Sequence, residues 1–86
     1  MMADLQGANF TGADCEGSDF SGADLSDAIL DTGIFRKCKF DGAIFSETSI
    51  LHADFTGSTF ISSDLRFQDL SRAEFMDCDF TDAKFL

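Results

Sequence analysis

The chain has 86 residues, which favours a single domain over residues 1–86. Sixteen acids against six bases give a net charge of −10, which opposes direct binding to nucleic acid. No apolar run is long enough to cross a membrane, and no signal peptide is visible. A cytoplasmic protein is therefore the default expectation.

An apolar residue occupies every fifth position from Leu5 to Phe85: ten Phe, five Leu, one Ile and one Cys. Two positions before it stands a small residue, which is alanine in nine repeats. A helix would spread the large residues around its whole surface, and a flat strand would alternate them between its two faces. The period therefore predicts a solenoid that turns once in every five residues.

Residues 3–22 show the corner chemistry most clearly, because each large residue follows Asp or Asn and precedes Gly by two positions. Both residue types favour tight turns. Further along the chain, apolar side chains enter outward positions. They are Ile29, Ile34, Ile44, Leu51, Ile61, Phe67 and Met76. Gln68 replaces the expected small inward residue, so Phe67 and Gln68 indicate a locally distorted coil.

Units such as residues 3–7, 8–12 and 53–57 resemble the pentapeptide repeat family, whose unit is A(D/N)LXX or A(D/N)FXX. The resemblance extends over residues 3–86. It implies an all-β fold, a right-handed quadrilateral parallel β-helix of about four coils with four repeats per coil. Residues of successive coils then stack, which predicts one ladder of Phe20, Phe40, Phe60 and Phe80, and a second of Phe35, Phe55 and Phe75 above Cys15. A rod on the order of 20 Å long is expected from strand spacing.

Catalytic, metal-binding and cofactor-binding sites are not predicted. The three cysteines are all inward, and we expect them to be free. Cys38 and Cys78 would lie two coils apart, beyond the reach of a disulfide. His52, the one histidine, falls at an outward corner, so neither a zinc site nor a nucleophile–histidine–acid set can be assembled.

The first 27 residues contain six acids and no base. We interpret these acids as a docking face for a protein partner with a basic surface. They are Asp4, Asp14, Glu16, Asp19, Asp24 and Asp27. The alternative is that acidity serves only solubility and turn formation.

The functional hypothesis is a non-enzymatic acidic β-solenoid that acts as a protein–protein interaction module. The resemblance implies an alternative, because the best understood family members mimic DNA and bind type II topoisomerases, chiefly DNA gyrase. Those members are roughly twice as long as this chain. The predicted stack of Asp4, Asp24, Ile44, Asp64 and Lys84 interrupts the row of charge that mimicry needs, which favours the first hypothesis.

The C-terminal coil is predicted to expose the edges of aromatic side chains and unpaired backbone groups. We expect an end-to-end homodimer through this coil, with Phe75, Phe80, Phe85 and Leu86 in the interface. The alternative is that the chain is part of a longer solenoid whose remainder covers this coil.

Overall fold

The computed structural model describes residues 3–66 and 69–85. Over these residues the backbone consists of turns separated by single-residue parallel bridges, with no helix and no longer strand. Each bridge joins equivalent positions of successive coils, as between Asp4 and Asp24 or between Ile29 and Ser49. Four repeats therefore complete one coil, and the chain forms the predicted right-handed quadrilateral parallel β-helix. The expected distortion at Phe67 and Gln68 lies outside the described residues.

The β-helix has four sides, which we number by their residues in the first coil. Side one begins at 3–7, side two at 8–12, side three at 13–17 and side four at 18–22, and each side recurs in every coil.

Backbone hydrogen bonds parallel to the solenoid axis hold each coil on the next. The Leu5 N–H donates to the Asp24 carbonyl at 2.9 Å, and the Asp24 N–H donates to the Ala3 carbonyl at 2.9 Å. At most corners below the last coil, a further bond joins a turn amide to the coil above, as from the Gly7 N–H to the Ser26 carbonyl at 2.9 Å. This pattern leaves little room for proline, which has no N–H to donate and is absent from the sequence.

The repeated Asp and Asn side chains close the corners, as the sequence predicts. Oδ1 of Asp24 accepts from the Ser26 N–H at 3.0 Å and from the Ser26 hydroxyl at 2.6 Å. Where a repeat has Ser49 in the Asp position, Asp31 of the coil below substitutes, and its Oδ1 accepts from the Leu51 N–H at 3.0 Å. The corner amide is thus satisfied from either of two coils.

The large inward residues form continuous aromatic ladders along the axis. Phe40 stacks on Phe20 and on Phe60, each with ring centroids 5.1 Å apart. The Phe35–Phe55 pair is stacked at 5.5 Å and the Phe55–Phe75 pair at 5.1 Å. Both predicted ladders are therefore confirmed. Burial is complete only in the middle coils, because the large residues of the first and last coils lack a neighbour on one side.

A solenoid with the expected length of about 20 Å is too short to be elongated. The molecule measures 28 × 26 × 25 Å along its principal axes, so it is as broad as it is long. About four coils stacked at roughly 4.8 Å rise no further than the width of one square coil.

Polar side chains at the small inward positions bond to carbonyls of the coil below. The Ser58 hydroxyl donates to the Phe35 carbonyl at 2.6 Å and accepts from the Cys38 N–H at 2.9 Å, so it bridges an entire turn. The thiol of Cys78 donates to the Phe55 carbonyl at 3.0 Å. Ser63 is equally buried, but its hydroxyl has no hydrogen-bond partner among the residues that the structure describes.

Ser58 and Ser63 form a matched pair for measuring the energetic value of this bridge. We expect Ser58→Ala to lower the free energy of unfolding by about 1–3 kcal/mol, because it leaves the buried Cys38 N–H unsatisfied. Ser63→Ala removes an unbonded buried hydroxyl and is expected to be neutral or stabilising by about 1 kcal/mol. Chemical denaturation followed by circular dichroism compares the two variants. Equal losses would contradict the assigned bonding.

Candidate protein-interaction surface

The six acids proposed as a docking face do not share one side of the solenoid. Asp4, Asp24 and Asp27 lie on side one, where Asp4 bridges to Asp24. Asp14 and Glu16 lie on side three, which faces the opposite direction, and Asp19 lies on side four. The six therefore surround the first coil and the start of the second, and a flat partner cannot contact all of them at once.

Most of these acids also act in the turns. Oδ1 of Asp19 accepts from the Ser21 N–H at 2.9 Å, and Asp4, Asp14 and Asp24 make the equivalent bond. The Ser21 hydroxyl, followed by the Ser21 amide, lowers the pKa of Asp19. A lowered pKa means that this stabilisation is present above the ordinary pKa of aspartate and is lost as the pH falls. Among the described residues, no group donates to Glu16 or Asp27, so these two carboxylates are available for intermolecular contacts.

Charge is distributed unevenly among the four sides. Sides one, three and four each carry a net charge of −3, whereas side two carries −1. The column of Asp4 and Asp24 is interrupted by Ile44, as the observed bridges show. A second column on side three runs Asp14, Ile34, Asp54 and Glu74. Neither column presents an unbroken row of negative charge.

Exposed apolar side chains in outward positions lie on sides two and three. Ile29 and Leu51, 37% and 43% exposed, lie on side two, while Ile34 and Met76, 38% and 69% exposed, lie on side three. Ile44 and Ile61 are less exposed, since both are half-buried, and they belong to sides one and four. The corner between sides two and three therefore combines apolar exposure with the least acidic side.

A cleft of about 410 Å³ opens at this corner, lined by His52, Ser71, Arg72, Ala73 and Glu74. Here the hydrogen-bond register between coils shifts by one residue, because the His52 N–H donates to the Arg72 carbonyl at 2.7 Å instead of to the Ser71 carbonyl. At all other described corners the equivalent residue has φ between 55° and 77°, but Arg72 does not share this conformation. The repeat pattern does not predict the cleft, although Gln68, a large residue in a position otherwise held by small ones, begins the same repeat and is a signal for it.

The C-terminal coil presents a partly open aromatic edge. Phe75 and Phe80 are half-buried, and Phe85 is 51% exposed with its ring centroid 5.7 Å from that of Phe80. Leu86, also proposed for the dimer interface, lies outside the described residues.

The cysteines and the histidine take the positions expected of them. All three cysteines are free, Cys38 is buried, and burial raises the pKa of its thiol. His52 is exposed at its corner. Over residues 3–66 and 69–85, no three potential metal ligands cluster together. The same residues include no helix with the length and apolarity to span a membrane.

Four-repeat coils, a core of large residues alternating with small ones, and Asp-closed corners define a quadrilateral β-solenoid. A model of the family described as pentapeptide repeats matches the chain in eight copies, over residues 3–36, 33–61 and 60–86. The chain belongs to this family. No curated protein sequence matches it.

Solved structures of pentapeptide repeat proteins share the fold. The protein alr5209 of Nostoc PCC 7120 is 24% identical, with a TM-score of 0.72 over 95% of this chain and 64% of that one. Full-length QnrB1, a plasmid-mediated fluoroquinolone resistance protein, is 22% identical, with a TM-score of 0.71 over 96% of this chain and 51% of its own. HetL of Nostoc sp. strain PCC 7120, involved in heterocyst differentiation regulation, is 21% identical, with a TM-score of 0.57 over 95% of this chain and 48% of its own. The chain thus spans about half to two thirds of their lengths.

Proposed function

We propose that this chain is a non-enzymatic protein-interaction module whose acidic sides bind a partner with a basic surface. The observation that carries the proposal is the net charge of −3 on each of three sides. The inward residues of the repeat form the core, so the charged outward residues are the ones that can contact a partner. Complementary charge accelerates association and selects partners. The cytoplasm, where cysteines stay reduced, is the location that suits its three free thiols.

The carboxylates without a turn bond provide the test. A set of 15-residue peptides with equal mean hydropathy and basic, neutral or acidic charge is immobilised, and retention of the protein is measured. We expect retention on the basic set that weakens with added salt. The double variant Glu16→Gln with Asp27→Asn should be retained more weakly on the basic peptides than the native protein, while its turns stay intact. Retention that is independent of peptide charge would overturn the proposal.

DNA mimicry is the second candidate, favoured by the family fold and by the net charge of −10. The family resemblance points to a type II topoisomerase, DNA gyrase, as the target. The interrupted acid columns and the short solenoid favour the first candidate. A gyrase supercoiling assay at low and high salt separates the two, because micromolar inhibition that weakens with salt supports mimicry and no effect excludes it.

The homodimer remains a proposal that rests on the aromatic edge of the C-terminal coil. Burying Phe85 against a second copy would remove its exposed apolar surface from water. Light scattering over a hundredfold range of concentration tests this, with Phe85→Glu expected to shift the protein to the monomer. A monomer at every concentration would exclude the dimer.

A further inference from the structure

The cleft between sides two and three has the chemistry of a binding site for a cation. We propose that it receives a lysine or arginine side chain of the partner protein, with apolar neighbours of that side chain lying on Leu51 and Met76. This inference rests on the proposed function, and it names the site and the side-chain class that the acidic surface attracts.

The first candidate acceptor is the backbone carbonyl of Ser71, one of the residues that line the cleft. In the coil below, the corner amide of Thr32 donates to the Leu51 carbonyl at 2.8 Å, which is the regular pattern. Since the His52 amide binds Arg72 instead, no backbone N–H of the described residues reaches the Ser71 carbonyl. A carbonyl in the wall of a cleft can accept a hydrogen bond from an incoming ammonium or guanidinium group.

The second acceptor is the Glu74 carboxylate. Asp54 lies directly below Glu74 in the same column, and its Oδ1 accepts from the Thr56 N–H at 3.0 Å and the Thr56 hydroxyl at 2.6 Å. Asp54 also lies 3.9 Å from Arg36. The Glu74 carboxylate accepts no hydrogen bond and makes no ion pair within residues 3–66 and 69–85, so it can accept one from a ligand. An incoming cation would supply the missing charge-assisted bond.

Arg72, on the other wall, has a nearby acid of its own. The pKa of Asp69 is lowered, chiefly by the Ser71 hydroxyl and then by the Ser71 amide. The charge of Arg72 lowers it by a smaller amount. Asp69 is thus close enough to Arg72 to respond to its charge, and the cleft with its edge holds two acids, Asp69 and Glu74, against one arginine. The overall charge of −10 adds long-range attraction for a cation.

The cleft also has suitable size and surroundings. Its volume of about 410 Å³ is ample for one long basic side chain. Leu51, 43% exposed, adjoins His52 in the chain, and Met76, 69% exposed, follows Glu74 by two positions. Apolar residues beside a polar cleft provide the surface on which the neighbours of an anchoring side chain can pack.

Nuclear magnetic resonance titration of the ¹⁵N-labelled chain tests the site with three short probes. The probes are acetyl-Leu-Arg-Leu-amide, its glutamate counterpart acetyl-Leu-Glu-Leu-amide, and acetyl-Gly-Arg-Gly-amide, which lacks the apolar neighbours. We expect saturable shifts from the first probe at the amides of His52, Ser71, Ala73 and Glu74, and weaker binding of the other two. Glu74→Gln should weaken the first probe about fivefold. Glu47→Gln, at an exposed corner of side one, is the matched control and should change its binding less than about 1.5-fold.

The outcomes distinguish this site from the general proposal. Saturable binding of the arginine probe on another side would overturn the cleft and leave the acidic module standing. Tighter binding of the glutamate probe would overturn the predicted sign of the ligand. Equal weakening by Glu74→Gln and Glu47→Gln would show that diffuse charge, not the cleft, binds the probe. No binding of basic peptides to any side would contradict both proposals.

Discussion

Replacing Phe40 by alanine is expected to remove about 3–5 kcal/mol from the free energy of unfolding. The side chain is fully buried, and its ring lies between Phe20 and Phe60 in a ladder with 5.1 Å spacing. It also meets Phe35, Phe45 and Phe55, with ring centroids 6.0, 5.4 and 5.5 Å away. Because small domains are stable by only about 5–15 kcal/mol, this variant should lie close to the unfolding threshold. Urea denaturation followed by circular dichroism measures the loss.

Phe85→Ala is the matched control for the Phe40 variant. Phe85 is 51% exposed, and among the described residues its ring contacts the ring of Phe80 alone. We expect a loss below about 1.5 kcal/mol, because about half of the side chain still faces water in the folded chain. Similar losses for the two variants would show that the terminal coil is as important to stability as the central ladder.

Gly33→Ala is expected to destabilise the protein by about 1–3 kcal/mol through overpacking. The repeat pattern gives the opposite expectation, because alanine occupies the same position in nine repeats. Gly33 also does not have positive φ, and at such positions alanine usually stabilises by about 0.4–1 kcal/mol. Here, however, a Cβ would overlap Cε2 of Phe35 and lie 3.1 Å from the Leu30 carbonyl oxygen. Phe35 is fully buried among other rings, so it cannot move aside, and overlap outweighs the gain in entropy.

A double-mutant cycle with Phe35→Leu tests the cause of this effect. Leucine occupies the large inward position in five repeats, so the fold accommodates it. If overlap with the ring is responsible, Gly33→Ala should cost less in the Phe35→Leu background than in the native one. Stabilisation by Gly33→Ala in the native background, measured by thermal denaturation, would contradict the overlap.

The unbroken period made the core and the coil register predictable from sequence. Phe20, Phe40 and Phe60 could be placed in one ladder because their side chains must face inward and the family repeat gives the number of sides. Asp24 could likewise be assigned to a turn from its residue type and its place in the repeat. These features depend on backbone register, which a strict repeat determines.

Features that depend on local geometry could not be predicted in this way. The Ser58 hydroxyl makes two hydrogen bonds, whereas the Ser63 hydroxyl makes none with the described residues. This difference arises from small shifts in turn shape, which residue type does not encode. The cleft arises where the His52 amide donates to the Arg72 carbonyl instead of to the Ser71 carbonyl. The repeat departs from its own pattern in this region. The six acids of the first 27 residues could be grouped by composition, but their distribution over three sides follows from the register.

The pairing of each residue with its counterpart one coil away has an evolutionary consequence. Duplication of a complete coil would lengthen the solenoid and leave every side unchanged. Duplication of a single five-residue unit would preserve the alternation of large and small inward residues, yet it would rotate everything after it by a quarter turn. Inserted before Asp64, for example, such a unit would move that carboxylate from above Ile44 to above Ser49. One small genetic event could therefore rearrange the outer surface while the core remained intact.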